Sequence, residues 1–156
     1  MQRISSSHSF GESALHLQFT PKYRRAVFTD PTILKATKGV LHWVSRELGI
    51  ELVAAEGGPD HIHLFITNWK NYAIPALAHR FKGRVAYELR KRFPDLLWRF
   101  RLGRSFWTDG YYYETVGSVT AEARQYYVQR CQHKHWLPLQ PVVPKGQKTL
   151  TSFTNH

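Results

Sequence analysis

Gly57-Gly58-Pro59-Asp60-His61-Ile62-His63-Leu64-Phe65-Ile66-Thr67 is the stretch whose reading decides the fold. Its first four residues are turn formers, and the run behind them has strand character with Ile62, Leu64 and Ile66 at alternate positions. Upstream, Ile50 to Glu56 reads as a strand too, so the turn should return the chain as an antiparallel hairpin. Alternation sends His61 and His63 to the face opposite Ile62, Leu64 and Ile66, about two residue rises apart.

Working outward towards the N-terminus, Asp30 can cap a helix with Pro31 at its first position. Ile33, Leu34, Val40, Leu41, Val44 and Leu48 form the apolar stripe of that helix, and Gly49 stops it. Further out, Leu15, Leu17 and Phe19 alternate with His16, Gln18 and Thr20, the period of a half-buried strand, which Pro21 terminates. Towards the C-terminus, Leu77, Phe81, Val85 and Leu89 are spaced by four in a second helix from about Pro75 to Arg92, and Pro94 blocks its extension. Trp98 to Trp107 is ambiguous and compatible with a strand carrying a basic turn. Tyr111 to Gly117 is a strand after the Asp109-Gly110 turn, and Thr120 can cap a third helix through about His135. The order strand, helix, strand, strand, helix, strand, helix predicts an α+β, ferredoxin-like antiparallel sheet with helices packed on one face.

The chain of 156 residues, 42% hydrophobic with 9 Phe, 5 Trp and 8 Tyr, suffices for one packed core and argues against disorder throughout. Residues 1–12 read as an N-terminal extension, 13–136 as the folded domain, and 137–156 as a tail, because Pro138, Pro141 and Pro144 accompany the loss of hydrophobic periodicity. A single cysteine, Cys131, excludes an internal disulfide. No apolar run approaches the ~20 residues that span a bilayer, and Met1 to Glu12 has no apolar signal core. A cytoplasmic protein, nucleoid-associated when bound to DNA, is the expectation.

Twenty-two basic against 11 acidic residues give a net charge of +11, which points to a polyanionic partner, nucleic acid first. Between Arg80 and Arg104 stand Arg80, Lys82, Arg84, Arg90, Lys91, Arg92, Arg99, Arg101 and Arg104 against Glu88 and Asp95, a net of +7. A second cluster is Lys22, Arg24 and Arg25. Cations interleaved with aromatics suit a single strand, whose phosphates meet charge while its bases stack. His61 and His63 could share a divalent cation, with Asp60 completing or orienting the site. On spacing alone, two polar residues on the wet face of a half-buried strand explain them as well. Cys131, His133 and His135 lack the paired spacing of a separate zinc site.

Three segments together resemble the single-tyrosine HUH transposases of small bacterial and archaeal insertion sequences, which move a single DNA strand. They are Lys22-Tyr23-Arg24-Arg25, Gly58-Pro59-Asp60-His61-Ile62-His63-Leu64-Phe65, and Trp107 through Tyr111 to Thr115-Val116-Gly117, with a tyrosine helix following; the likeness spans about Leu15 to His135. The resemblance implies Tyr127 as nucleophile, Tyr126 as its structural neighbour, and His61 and His63 as ligands of Mg²⁺ or Mn²⁺. It implies a third ligand, usually glutamine, four residues beyond the tyrosine. Here that position is Cys131, and Gln132 sits one residue further, rotated about 140° from Tyr127. Lys22, Arg24, Arg25, Arg80, Lys82, Arg84 and Arg90 are the candidate DNA contacts. The resemblance further implies imperfect hairpins at element ends as the DNA partner and a homodimer in which each subunit's tyrosine helix completes the other's histidine site. Two other functions compete: a non-catalytic single-strand nucleic-acid-binding protein, including a domesticated relative, and an RNA-processing phosphodiesterase using the histidines as acid and base.

Overall fold

Leu15, Leu17 and Phe19 are fully buried, and their strand, β1 (Glu12–Phe19), runs through the middle of the sheet. The computed structural model describes residues 12–119, and within them the chain continues through α1 (Pro31–Leu48), β2 (Glu51–Gly58), β3 (His61–Thr67), α2 (Ile74–Arg92), α3 (Leu96–Arg99) and β4 (Tyr112–Val119). The strands lie in the order β2-β3-β1-β4, each antiparallel to its neighbour. This is the ferredoxin-like α+β arrangement that the element order predicts. The helix expected after Thr120, with Tyr126, Tyr127, Cys131 and Gln132, lies outside the described residues, as do residues 1–11 and the tail at 137–156.

The local signals act where they stand. Asp30 caps α1, its Oδ1 accepting from the Thr32 and Ile33 amides at 2.9 and 3.3 Å, with Pro31 in the first turn. Gly49 ends the helix at φ 65°, a left-handed conformation that suits glycine. The hairpin is tighter than expected: Gly57 and Gly58 belong to β2, Gly58 pairs with His61, and Pro59-Asp60 alone forms the turn. Ile62, Leu64 and Ile66 join Leu15, Leu17 and Phe19 beneath the stripes of α1 and α2, so both helices cover one face of the sheet. Truncating one of these fully buried leucines to alanine would cost about 2–5 kcal/mol.

Trp98 to Trp107 forms no strand. Its beginning continues α3, Arg101 and Gly103 then turn at φ 53° and 73°, and a lone bridge joins Trp107 to Pro21. The apolar residues close the core instead: Leu96, Leu102, Phe106 and Trp107 are all buried. Trp98 by contrast is 84% exposed, and Phe106 and Trp107 are buried as neighbours, so the segment shows no strand-like alternation of burial. Lys82 of α2 holds the next turn, its Nζ donating to the carbonyls of Thr108 at 2.7 Å, Gly110 at 3.1 Å and Asp109 at 3.3 Å. Trp107 Nε1 donates back to the Lys82 carbonyl at 2.9 Å.

Candidate metal centre and nucleic-acid interface

Antiparallel register decides which residues share the sheet face opposite the helices. Gln18 and Glu56 flank His63, Gly58 stands beside His61, and His16 stands between Phe65 and Glu114. This face is not wet at its centre: His16, His61 and His63 are 1%, 7% and 6% exposed. The histidine pair is therefore not the solvated face of a half-buried strand. Buried imidazoles need partners, and the structure supplies them.

His61 Nδ1 is 2.8 Å from Asp60 Oδ1, and Arg24 Nε donates to the other carboxylate oxygen, Asp60 Oδ2, at 3.2 Å. Burial alone would raise the Asp60 carboxyl, but the His61 hydrogen bond and the Arg24 charge outweigh it and hold Asp60 below the ordinary range. A carboxylate on Nδ1 fixes the tautomer and would leave Nε2 as the nitrogen suited to ligate a metal. His61 also needs Gly58, because a Cβ there would stand 2.8 Å from His61 Nε2 and closer still to Cε1. The glycine in the strand thus lets the imidazole lie against the backbone.

Reading the histidine pair from sequence missed a third imidazole. His16 Nε2 is 2.8 Å from His63 Nδ1, and the two rings stack at 5.0 Å between centroids and 17° between planes. The polar phase of β1 was the available signal, but it does not say which strand lies alongside. His61 and His63 meet edge to face, with centroids 4.8 Å apart. Desolvation lowers the pKa of His16 to about 3 and holds His63 well below the ordinary histidine value, helped by the positive charge that His16 and His61 would carry. Both are neutral at physiological pH, the state in which imidazole binds metals. The donor set therefore fits a divalent cation held by His61 and His63, with Asp60 and His16 behind them. Among the described residues no three such side chains converge as a complete metal set. Cys131 and Gln132, the alternatives for a third ligand, lie outside those residues.

The basic residues divide between two places. Lys22, Arg24 and Arg25 lie in the segment after β1 that runs past the hairpin turn: Arg24 reaches Asp60, Lys22 N donates to the Phe106 carbonyl at 2.8 Å, and Phe28 N donates to the Pro59 carbonyl of that turn at 3.0 Å. Arg80, Lys82, Arg84 and Arg90 are on α2, across the sheet, so the fold does not bring them to the histidines. Lys82 serves the turn at Thr108–Gly110, and Arg84 lies 4.1 Å from the Trp43 ring centroid with Glu88 at 3.2 Å. An open groove of about 600 Å³ on this side is lined in part by His79, Lys82, Arg90 and Arg104, a basic lining suited to phosphates. No helix among the described residues is long and apolar enough to cross a membrane.

Comparison with known proteins agrees with this arrangement. The family described as "Transposase IS200 like" matches residues 9–131. The transposase for insertion sequence element IS200 of Salmonella typhimurium is 30% identical over 122 residues, 78% of this chain and 79% of that protein. The ISDra2 transposase TnpA of Deinococcus radiodurans is 29% identical over 117 residues, covering 73% and 80%. A crystal structure of a candidate transposase from Deinococcus radiodurans R1 superposes with a TM-score of 0.64 at 26% identity, covering 88% of this chain and all of that one. With the family's match spanning most of the chain and a solved relative sharing its fold, this protein belongs to the IS200-like transposases, the single-tyrosine HUH family that its motifs resemble.

Proposed function

We propose that this transposase cleaves and rejoins single-stranded DNA at the ends of an insertion sequence through a 5′-phosphotyrosine intermediate, with Tyr127 as nucleophile and His61 and His63 as ligands of Mg²⁺ or Mn²⁺. The observation that carries the reading is the buried pair itself, with Asp60 bonded to His61 and His16 to His63. Isolated surface histidines have no need of two such braces. When bound, the cation supplies charge neutralisation at the scissile phosphate.

The chain's own residues do the rest. Asp60 and His16 hold the two imidazoles in one tautomer and orientation, so the ligand nitrogens are set before DNA arrives. Tyr127 forms a new bond from its phenolic oxygen to phosphorus as the bond to the 3′ oxygen breaks. The phenolic proton leaves, and the departing oxygen is protonated to a 3′-hydroxyl. The phosphotyrosine keeps the ester bond, so attack by another 3′-hydroxyl reverses the step without a nucleotide cofactor. Lys22, Arg24 and Arg25 contact phosphates near the cut, while Arg80, Lys82, Arg84 and Arg90 bind a folded strand on the helical side. Hairpins as the bound ends, and a homodimer exchanging tyrosine helices, are carried by the resemblance.

The test is an end-labelled single strand containing a hairpin, incubated with protein and Mn²⁺ or Mg²⁺ and resolved under denaturing conditions. The wild type should give a covalent protein–DNA band that EDTA and Tyr127→Phe abolish and Tyr126→Phe does not. Cys131→Gln should strengthen the band, since a carboxamide oxygen suits these ions better than sulfur. A protein that shifts DNA without a band is a binding module, the reading favoured by Cys131 standing where a glutamine is expected. A histidine acid–base phosphodiesterase would instead cleave with EDTA present and without Tyr127.

A further inference from the structure

Tyr23 stands out by its backbone and its exposure together. It is 63% exposed, so no packing demands its position, yet Tyr23 and Arg24 both adopt positive φ, 58° and 53°. Two successive residues with a Cβ in the left-handed region are strained, and such strain persists only where the surroundings hold it. The surroundings here are specific. Arg24 is drawn to Asp60, which in turn holds His61, while backbone bonds from Lys22 to Phe106 and from Phe28 to Pro59 fix both ends of the segment. The turn that directs Arg24 onto Asp60 leaves the neighbouring Tyr23 ring in the open. Lys22 Nζ and the Arg25 guanidinium carbon lie over the ring, 5.9 and 5.7 Å from its centroid, on long side chains that a stacking base would displace towards its phosphates.

We infer that Tyr23 is a stacking platform for an unpaired base of single-stranded DNA next to the scissile phosphate, with Lys22 and Arg25 meeting the phosphates on either side of that base. The inference rests on the reading of the histidine pair as the strand-cleavage site. An exposed aromatic ring with two flexible cations against it matches the alternation of base and phosphate along a single strand, whereas in a duplex the faces of each base are already covered by its neighbours. The platform reads no base identity, because every base offers a π-face. Its work is to place the strand: the same turn that sets Tyr23 also sets Arg24 on Asp60, so the stacked base and the metal-facing imidazole are held in register. Tyr23 is thus a positioning residue, distinct from the nucleophile Tyr127.

The experiment uses the full-length protein and an oligo(dT) strand carrying one 5-iodouracil, single or paired with oligo(dA). Irradiation joins iodouracil to an aromatic ring stacked on it, and peptide mapping locates the adduct. The adduct should fall on Tyr23 with the single strand and not with the duplex. Tyr23→Ala should weaken single-strand binding about 5- to 150-fold, while Tyr23→Phe stays within about twofold of wild type. Glycine is at ease with the left-handed backbone, so Tyr23→Gly should melt at or above the wild-type temperature yet bind as poorly as Tyr23→Ala. Loss of affinity without loss of stability separates stacking from a structural role. Wild-type affinity in Tyr23→Ala, a Tyr23→Phe protein as weak as Tyr23→Ala, or adducts only on other aromatics would each overturn the inference. A Tyr23 adduct in a wild-type protein that never forms the phosphotyrosine band would overturn instead the strand-cleavage reading, and with it the placement of the base beside a scissile phosphate.

Discussion

Removing the Asp60 carboxylate should loosen the metal without unfolding the protein, and the structure sets both magnitudes. Asp60→Ala deletes a 2.8 Å contact to His61 and a 3.2 Å ion pair with Arg24. The first is an outer-shell bond of the type whose loss costs about 10- to 100-fold in metal affinity, or about 1.4–2.8 kcal/mol. The second joins side chains that are 49% and 26% exposed, so its contribution to stability is at most about 1 kcal/mol. Asp60→Asn keeps an oxygen that can accept from His61 Nδ1–H, although it loses the charge, and should fall between Asp60→Ala and wild type. Arg24→Ala leaves the His61 contact in place and should change metal affinity least. Mn²⁺ titration followed by electron paramagnetic resonance gives the affinities, and thermal melting of the metal-free proteins gives the stabilities. If Asp60→Ala binds Mn²⁺ as tightly as wild type while melting normally, the carboxylate does not orient a metal ligand and the reasoning fails.

Gly58→Ala should displace the His61 imidazole, because the added Cβ collides with the ring; a roughly 10-fold or greater loss of Mn²⁺ affinity is expected, and an unchanged titration would refute it. Asp30→Ala loses the cap of α1 and the 2.7 Å contact with Arg99, which should lower stability by about 1–2 kcal/mol in chemical denaturation at pH 7. The Arg99 hydrogen bond holds the Asp30 pKa below its ordinary value, so this contribution is present above the unfolded carboxyl value near 4 and is lost as pH falls through the depressed folded value. The gap between Asp30→Ala and wild type should therefore narrow in acid, and a gap that widens there would contradict the assignment. If subunits exchange tyrosine helices, mixing His61→Ala with Tyr127→Phe should restore part of the covalent band, since one heterodimer site has both histidines and the nucleophile; no rescue despite confirmed heterodimers would place each site within one subunit.

Signals that act through neighbours in the chain were readable in the sequence. Asp30 and Pro31 start α1 and Gly49 ends it, because a cap and a left-handed stop involve only the few residues around them. The turn at Pro59-Asp60 brings β3 back along β2, and alternation alone puts His61 and His63 in one phase and Ile62, Leu64 and Ile66 in the other. Trp98 to Trp107, ambiguous from the sequence, turned out to be a helix end and a turn: Leu102, Phe106 and Trp107 plug the core while Trp98 stays exposed, and no local rule says which apolar residues of such a segment the core will take. The charge excess and the HUH pattern likewise needed only the sequence, and they led to the right family.

What braces and buries the histidine pair came from the tertiary structure. His16 and His63 are 47 residues apart and meet because β1 and β3 pair antiparallel with Gln18 opposite His63, a register set by burying Leu15, Leu17 and Phe19 with Ile62, Leu64 and Ile66. Arg24 and Asp60, 36 residues apart, meet because the segment after β1 runs past the hairpin turn. The same packing decided that all three histidines are buried, that burial lowers the pKa of His16 and His63, and that the basic residues of α2 lie across the sheet from them. A sequence specifies which face of its own strand a residue occupies; which residue of another strand stands beside it depends on sheet order and register, which are set only when the cores of all the elements are buried together.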